Sequence, residues 1–80
     1  MTKAEELALA DAGKGTLGKA AANEPVFILR GQDRLAPTVL RLWADMLRQV
    51  AHTRSSLRKA TEAEALADRM EAWHIRKVPD

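Results

Sequence analysis

The clearest pattern in the sequence is an apolar stripe with helical spacing. Six large apolar residues recur at i, i+3, i+4, i+7, i+8 and i+11, the spacing of one helix face. They are Val39, Leu42, Trp43, Met46, Leu47 and Val50. Pro37 suits the first turn of this helix, and we expect Ala36, just before it, to stay outside the helix. Leu40, Ala44 and Ala51 widen the stripe, which predicts contact with more than one neighbouring element.

A second helix is predicted towards the C-terminus, antiparallel to the first. The polar run 52–56 interrupts the first pattern, either as a turn or as a bend. The second helix starts at Ser56 or at the capping-box pattern Thr61-x-x-Glu64. Its predicted apolar face consists of Leu57, Ala60, Ala63, Leu66, Ala67, Met70 and Trp73. Arg76 and Lys77 fall near its expected end, where cations interact favourably with the helix dipole.

Residues 24–33 are predicted to be extended rather than helical. Four apolar residues, Val26, Phe27, Ile28 and Leu29, stand in a row between Pro25 and Gly31. A short run rich in β-branched and aromatic residues favours a strand, and the lack of alternation favours burial on both faces. No second strand is evident in the sequence. The run therefore pairs with its copy in another subunit or lies between helices, and we predict that it forms an oligomer interface.

The N-terminal part of the chain reads as weakly ordered. Residues 1–12 are compatible with a turn or two of helix, and Gly13–Asn23 is interpreted as a linker because three glycines fall within six residues. The predicted organisation is a flexible segment 1–23 followed by a small helical domain 24–80. The fold class is mostly α, with one extended or β segment and two antiparallel helices, completed by oligomerisation.

One stretch nearly matches a phosphate-binding loop. Residues 13–20 follow the pattern G-x-x-x-x-G-K-[ST], except that Ala20 replaces the hydroxyl residue that binds magnesium. The preceding residues do not read as a strand, so a solvated glycine linker is the favoured interpretation. As an alternative, the backbone N–H groups near Lys19 bind an anion without catalysing a reaction.

Composition limits the functional classes. Eighty residues make one domain, and the absence of cysteine excludes disulfides and thiolate metal sites. A net charge of +2 with 30% charged residues gives a surface of both signs, which makes nucleic-acid binding unlikely. The longest apolar run has four residues, and we see no apolar signal core, so neither a membrane span nor secretion is expected. No metal or cofactor is expected.

Several motifs together resemble a known group of proteins. They are Leu17-Gly18-Lys19-Ala20, Glu24-Pro25-Val26-Phe27-x-Leu29-Arg30-x-Gln32-Asp33-x-x-Ala36-Pro37, Trp43-Ala44 and Met70-Glu71-Ala72-Trp73-x-x-Arg76-Lys77-x-Pro79-Asp80. This order and spacing resembles small uncharacterised proteins encoded by tailed bacteriophages and prophages. The resemblance runs from Leu17 to the C-terminus and is weakest over residues 51–59. It implies a non-enzymatic phage accessory protein in the cytoplasm of the bacterial host.

The candidate ligand site lies where the apolar run opens into the first predicted helix. Arg30 can hold a phosphate through two parallel hydrogen bonds, and Gln32 can contact a base or ribose edge. Asp33 completes the junction, and free N–H groups at a helix start favour an anion. The alternative is structural: Arg30 pairs with Glu24 or Asp33, and Asp33 shapes the turn. Lys19, Arg76 and Lys77 are the further cations of the candidate site, and the alternative for the last two is a helix-end charge pair.

The aromatic residues also have two interpretations. Trp43 and Trp73 are placed on apolar helix faces, where they serve as core anchors or as stacking platforms for a base. Trp73 is included in the candidate ligand site. His74 has no evident partner at catalytic spacing, and the acidic residues of the second helix do not converge on one point. We therefore expect no enzymatic activity.

Three functions are considered from the sequence. The first is a homo-oligomer that binds and sequesters an anionic nucleotide-type signal of bacterial defence, by analogy with phage proteins that act in this way. The second is a protein–protein adaptor or inhibitor that acts through the apolar segment. The third is a DNA-associated accessory protein, which the alternating charges of the helices disfavour.

Overall fold

The computed structural model describes residues 1–78 as a mostly helical chain, which confirms the predicted class. It has four helices: α1 spans Lys3–Asp11, α2 spans Gly15–Lys19, α3 spans Ala36–Val50 and α4 spans Arg54–Glu71. Within residues 1–78 the chain forms no β-strand, only one isolated bridge.

The N-terminal residues form a tight helical pair rather than a linker. Thr2 caps α1 in a reciprocal capping box with Glu5. Gly13 and Gly15 adopt positive φ angles of 70° and 71°, which L-residues with a side chain rarely tolerate. A Cβ at Gly18 would lie 2.8 Å from the carbonyl carbon of Gly13, so α2 packs closely against the turn after α1. The linker prediction is therefore wrong for residues 15–19, because these glycines permit a turn and a close approach.

The α1–α2 pair stands apart from the remaining helices. The two helices pack on each other, but neither packs against α3 or α4. Neither α1 nor α2 contains a buried residue. The division into residues 1–23 and 24–80, and the flexibility of the first part, stay predictions.

Helices α3 and α4 form the predicted antiparallel hairpin, separated by a short turn rather than joined as one bent helix. Ala51, with φ −140° and ψ 131°, ends α3, and Thr53 caps α4 by accepting a hydrogen bond from the Ser56 N–H at 3.1 Å. Both predicted starts of the second helix are wrong. Ser56 lies inside the first turn, and the Thr61 hydroxyl instead donates to the Leu57 carbonyl at 3.1 Å.

The seam between α3 and α4 is made of small side chains. The buried apolar residues of the two helices there are all alanines. They are Ala44, Ala60, Ala63 and Ala67. Leu47 packs against this cluster but stays half-buried, and no large side chain of residues 1–78 is fully buried. Alanine lets two helix backbones approach closely at little cost in side-chain entropy, but it removes little apolar surface from water.

Two arginines of α3 form ion pairs with acidic residues of α4. Arg41 bonds Asp68 at 2.9 Å and Glu71 at 2.5 Å, and Arg48 bonds Glu64 at 2.6 Å. The acidic partners remain largely exposed, with 74% of the Asp68 side chain and 60% of the Glu71 side chain accessible, so these pairs lie at the surface of the seam. The hydrogen bonds to the acidic partners raise the pKa of Arg41, and the hydrogen bond from Arg48 lowers the pKa of Glu64.

The start of α3 differs from expectation by one residue. The helix begins at Ala36, with Pro37 in its first turn, so the prediction that Ala36 stays non-helical is wrong. Asp33 prepares this start: its Oδ1 accepts from the Leu35 N–H at 2.8 Å, and its carbonyl accepts from the Ala36 N–H at 3.1 Å. This turn supplies partners for N–H groups that a helix start otherwise leaves free.

The apolar segment forms no strand. Among the described residues, the backbone groups of Val26–Leu29 make no backbone hydrogen bond. The segment is not buried on both faces either: Phe27 is 85% exposed and Ile28 is 65% exposed. Instead, the residues after Gly31 pair with the C-terminal segment through a single parallel bridge between Asp33 and Lys77. That second extended element was not anticipated.

Within residues 1–78, none of the helices combines the length and the apolar character needed to cross a membrane.

The Arg48–Glu64 pair predicts a specific dependence of stability on pH. The pKa of Glu64 is lower in the folded chain than its ordinary value of 4.5. The pair therefore contributes fully above that value and is lost as the pH falls through the folded-state pKa. Between about pH 6 and about pH 3, the free energy of unfolding should fall less in Glu64→Gln than in the wild type.

Chemical denaturation at several pH values measures this difference. Glu62→Gln is the matched control, because the Glu62 side chain makes no ion pair with residues 1–78. Equal pH dependence of the wild type and Glu64→Gln would contradict the assignment.

Candidate functional site

An open cleft of about 880 Å³ lies between the α1–α2 pair, the apolar segment and the α3–α4 hairpin. Its walls are mainly apolar side chains from all three parts of the chain. They include Leu7, Leu17, Val26, Phe27, Ile28, Leu29, Leu40, Leu66, Met70 and Trp73. We call this space the cleft. Concave, mostly apolar spaces with a few charged groups are typical of small-molecule sites.

The cleft has an excess of positive charge. Lys3, Arg30 and Arg69 line it together with one carboxylate, Glu6. Among residues 1–78, the side chains of the three cations make no hydrogen bond and no ion pair. Three cations that form no ion pair, beside apolar walls, favour an anionic ligand with an apolar portion.

Arg30 is not held by the acidic residues proposed as its structural partners. The Glu24 carboxylate accepts from the Ala21 N–H at 3.2 Å, and the Asp33 carboxylate accepts from the Leu35 N–H at 2.8 Å. Arg30 is exposed at the edge of the cleft, and Gly31 next to it lies against Trp73. The guanidinium is thus available to a ligand while the backbone beside it is packed.

Trp73 does not lie on a helix, which corrects its predicted placement. Helix α4 ends at Glu71, and Trp73 follows in the C-terminal segment with half of its surface exposed. Its ring lies 4.8 Å from that of His74 at an angle of 43°. Trp43 is also half-exposed, on α3, and it does not line the cleft. The two tryptophans are therefore not buried anchors within one chain.

Four of the predicted ligand residues join in a structural lock. The Gln32 carbonyl accepts from the Lys77 N–H at 2.7 Å, and the Lys77 carbonyl accepts from the Arg34 N–H at 2.9 Å. The Arg76 guanidinium donates to the Met70 carbonyl and, at 3.4 Å, to the Asp33 carbonyl. Arg76 thereby adds a donor to a carbonyl in the last turn of α4 that also accepts from the Trp73 N–H at 3.1 Å, and it ties the C-terminal segment to the start of α3. We call this arrangement the C-terminal lock.

The predicted site is thus divided by the structure. Arg30 and Trp73 line the cleft, whereas Gln32, Asp33, Arg76 and Lys77 form the C-terminal lock beside it. Arg76 and Lys77 lie beyond α4, yet Arg76 donates to a carbonyl in the last turn of that helix, as a cation at a helix end is expected to do. Lys19, the last residue of α2, is exposed and does not line the cleft.

Two cations of the cleft were missed by the sequence analysis. Arg69 lies four residues before Trp73 and three after Leu66, a spacing that places it on their side of a helix. That signal was available but did not distinguish Arg69 from solvated surface. Lys3 reaches the cleft only through the placement of α1, for which no local pattern gives a signal.

The glycine-rich loop does not lie between a strand and a long helix, the setting of a phosphate-binding loop. The residues before it form α1 rather than a strand, and α2 after it has only five residues. Among residues 1–78, no group of three or more histidine or acidic side chains is placed to hold a metal ion.

Comparison of the chain with models of protein families, with curated proteins and with solved structures finds no match. The resemblance to phage proteins stays a prediction, and the functional argument depends on the geometry of the site.

The C-terminal lock predicts a local role for Arg76. Arg76→Ala removes both charge-assisted hydrogen bonds and should destabilise the chain by about 1.5 kcal/mol. We expect the Asp33–Lys77 bridge to loosen when the Arg76 hydrogen bonds are lost. The amides of Arg34 and Lys77 should then exchange with solvent markedly faster than in the wild type, as measured by hydrogen exchange with NMR detection. Arg58→Ala, on the exposed side of α4, is the control. Unchanged protection of both amides in Arg76→Ala would show that the Asp33–Lys77 bridge does not need the Arg76 hydrogen bonds.

Proposed function

We propose that this protein is a non-enzymatic binding protein that holds an anionic, nucleotide-type small molecule in the cleft and acts as a homo-oligomer. The observation that supports the proposal is the unpaired guanidinium of Arg30 at the edge of an apolar cleft that also contains Trp73. A nucleotide combines a flat apolar base with a charged phosphate, and the cleft offers groups for both.

The aromatic and apolar walls suit the base. Half of the Trp73 surface is exposed to solvent. Stacking of a base on an aromatic side chain contributes about 1–3 kcal/mol to the free energy of binding. Leu66 and Met70 line the cleft nearby on α4. Apolar walls of this kind are tolerant of base identity, so the proposal does not specify one nucleobase.

The cations suit the phosphate. Arg30 provides a planar fork that matches two phosphate oxygens, and Arg69 and Lys3 add positive charge from two other elements. The hydrogen bonds from Thr2 are the main cause of the lowered pKa of Glu5 on α1, and the charge of Arg69 contributes in the same direction. Arg69 therefore interacts electrostatically with a carboxylate of α1 as well as lining the cleft.

The biological setting follows from the resemblance to small phage proteins. In the cytoplasm of a bacterial host, a protein that binds a nucleotide signal of a defence system and does not cleave it would withhold that signal. This part of the proposal depends on analogy, whereas the cleft and its charges are properties of the chain.

A second function is favoured by one observation. Phe27 is 85% exposed, and the backbone groups of Val26–Leu29 have no backbone partner within residues 1–78. Such a segment can add to the sheet edge of a target protein, with main-chain hydrogen bonds for affinity and apolar side chains for specificity. The chain would then be an adaptor or inhibitor.

Calorimetry with linear and cyclic nucleotides tests the first proposal. Arg30→Ala should weaken binding by about tenfold to a hundredfold, because a charge-assisted hydrogen bond is worth roughly 1.5–3 kcal/mol. Arg30→Lys should also weaken binding, because a point charge does not reproduce the planar fork.

Arg34→Ala is the matched control. It removes the same charge four residues away, from an exposed side chain that does not line the cleft. Binding of no nucleotide by the wild type, or equal losses in Arg30→Ala and Arg34→Ala, would contradict the proposal. In the first case the adaptor function would be favoured.

A further inference from the structure

The most apolar face of α3 is uncovered. Six large apolar residues on that side of the helix, or just before it, are exposed by between 43% for Val39 and 81% for Val50. They are Leu35, Val39, Leu42, Trp43, Met46 and Val50. Helix α4 packs on the opposite side of α3, where Ala44 is fully buried. We call the six residues the α3 stripe.

The α3 stripe is separate from the cleft. Of the α3 residues, Leu40 lines the cleft, and no member of the α3 stripe does. A ligand or a segment seated in the cleft therefore leaves the α3 stripe uncovered. Contiguous apolar patches of this size on a small protein mark an interaction surface.

The size of the α3 stripe fits a protein–protein contact. Six half-exposed side chains of this kind present roughly 500–600 Å² of apolar surface in one chain. A pair of chains would bury about 1,000–1,200 Å², which is the lower limit for a specific interface. No member of the α3 stripe is charged, as is typical of the centre of an interface.

The spacing of the α3 stripe is self-complementary. The intervals between its successive residues are 4, 3, 1, 3 and 4, which read the same in both directions. When two such helices lie antiparallel, Leu35 faces Val50 of the second copy, and Val39 faces Met46. Leu42 then faces Trp43 at the centre. A two-fold symmetric interface requires this reciprocity, in which residue i contacts j and j contacts i.

We infer that the α3 stripe is the contact between two copies of this chain, which pack α3 against α3 in antiparallel orientation about a two-fold axis between Leu42 and Trp43. This contact covers the large side chains that the alanine seam leaves outside. The inference deepens the assembly part of the proposed function, places the two-fold contact on α3 as an alternative to residues 26–29 and does not depend on the ligand.

Cysteine cross-linking tests the orientation, because the chain has no cysteine of its own. Leu42→Cys lies beside the axis and should form a disulfide-linked dimer under mild oxidation. Val50→Cys should not, because the two copies of residue 50 would be about 22 Å apart along the helices, beyond disulfide reach. A mixture of Leu35→Cys and Val50→Cys should form the mixed dimer.

Light scattering tests the contact itself. Met46→Glu places a charge in the α3 stripe and should convert the dimer to a monomer with unchanged helical circular dichroism. Ala65→Glu, on an exposed position of α4, is the matched control and should remain dimeric. If Met46→Glu unfolds, the cross-linking pattern of the cysteine variants still decides the question.

Three results would overturn the inference. They are a monomeric wild type at micromolar concentration, cross-linking of Val50→Cys as efficient as that of Leu42→Cys, and a dimer that persists in folded Met46→Glu. A failure of nucleotide binding in calorimetry would leave these results unaffected, so the two proposals fail separately.

Discussion

The close approach of α3 and α4 through alanines is the constraint on which the rest of the chain depends. Ala44, Ala60 and Ala67 are fully buried, and Arg41 and Arg48 form ion pairs with acidic residues of α4. A seam of methyl groups packs two helices tightly, but each methyl removes little surface from water. A chain of 80 residues already buries a modest share of its surface. The large apolar side chains that would normally supply stability lie elsewhere.

Two surfaces result from this arrangement, and they suggest two different uses. The α3 stripe faces away from the hairpin as an uncharged surface with symmetric spacing, which suits a second copy of the chain. The cleft lies on another side and combines apolar walls with Lys3, Arg30 and Arg69, which suits an anion that carries an apolar group. Assembly and ligand binding can therefore act on the same molecule without competing for one surface.

Much of the architecture could be predicted from the sequence, but the direction of packing could not. The spacing from Val39 to Val50 specified a helix, and the alanines of α4 specified a second one. A helical period identifies the apolar face of a helix but does not say which element covers it. In the structure, α4 packs against the side of α3 that carries Ala44 rather than against its large apolar residues.

Thr53, Ser56 and Thr61 are all good caps, so the start of α4 was ambiguous. Arg30 was a candidate ligand residue with pairing to Glu24 or Asp33 as the alternative, and Arg76 proved structural because its carbonyl partners are brought together only by tertiary folding. Helix α2 was missed and its residues were interpreted as a linker, because a positive φ and a close approach of two backbones cannot be read from composition.

We propose that one chain does not cover its own apolar surface and that association with a second copy stabilises it. The most direct measurement is the thermal unfolding midpoint of the wild type over about a hundredfold range of protein concentration, with the molar mass measured in the same samples. Association that stabilises only the folded state makes the midpoint rise with concentration. We expect such a rise together with a molar mass above that of one chain. A midpoint independent of concentration in a monomeric sample would contradict it.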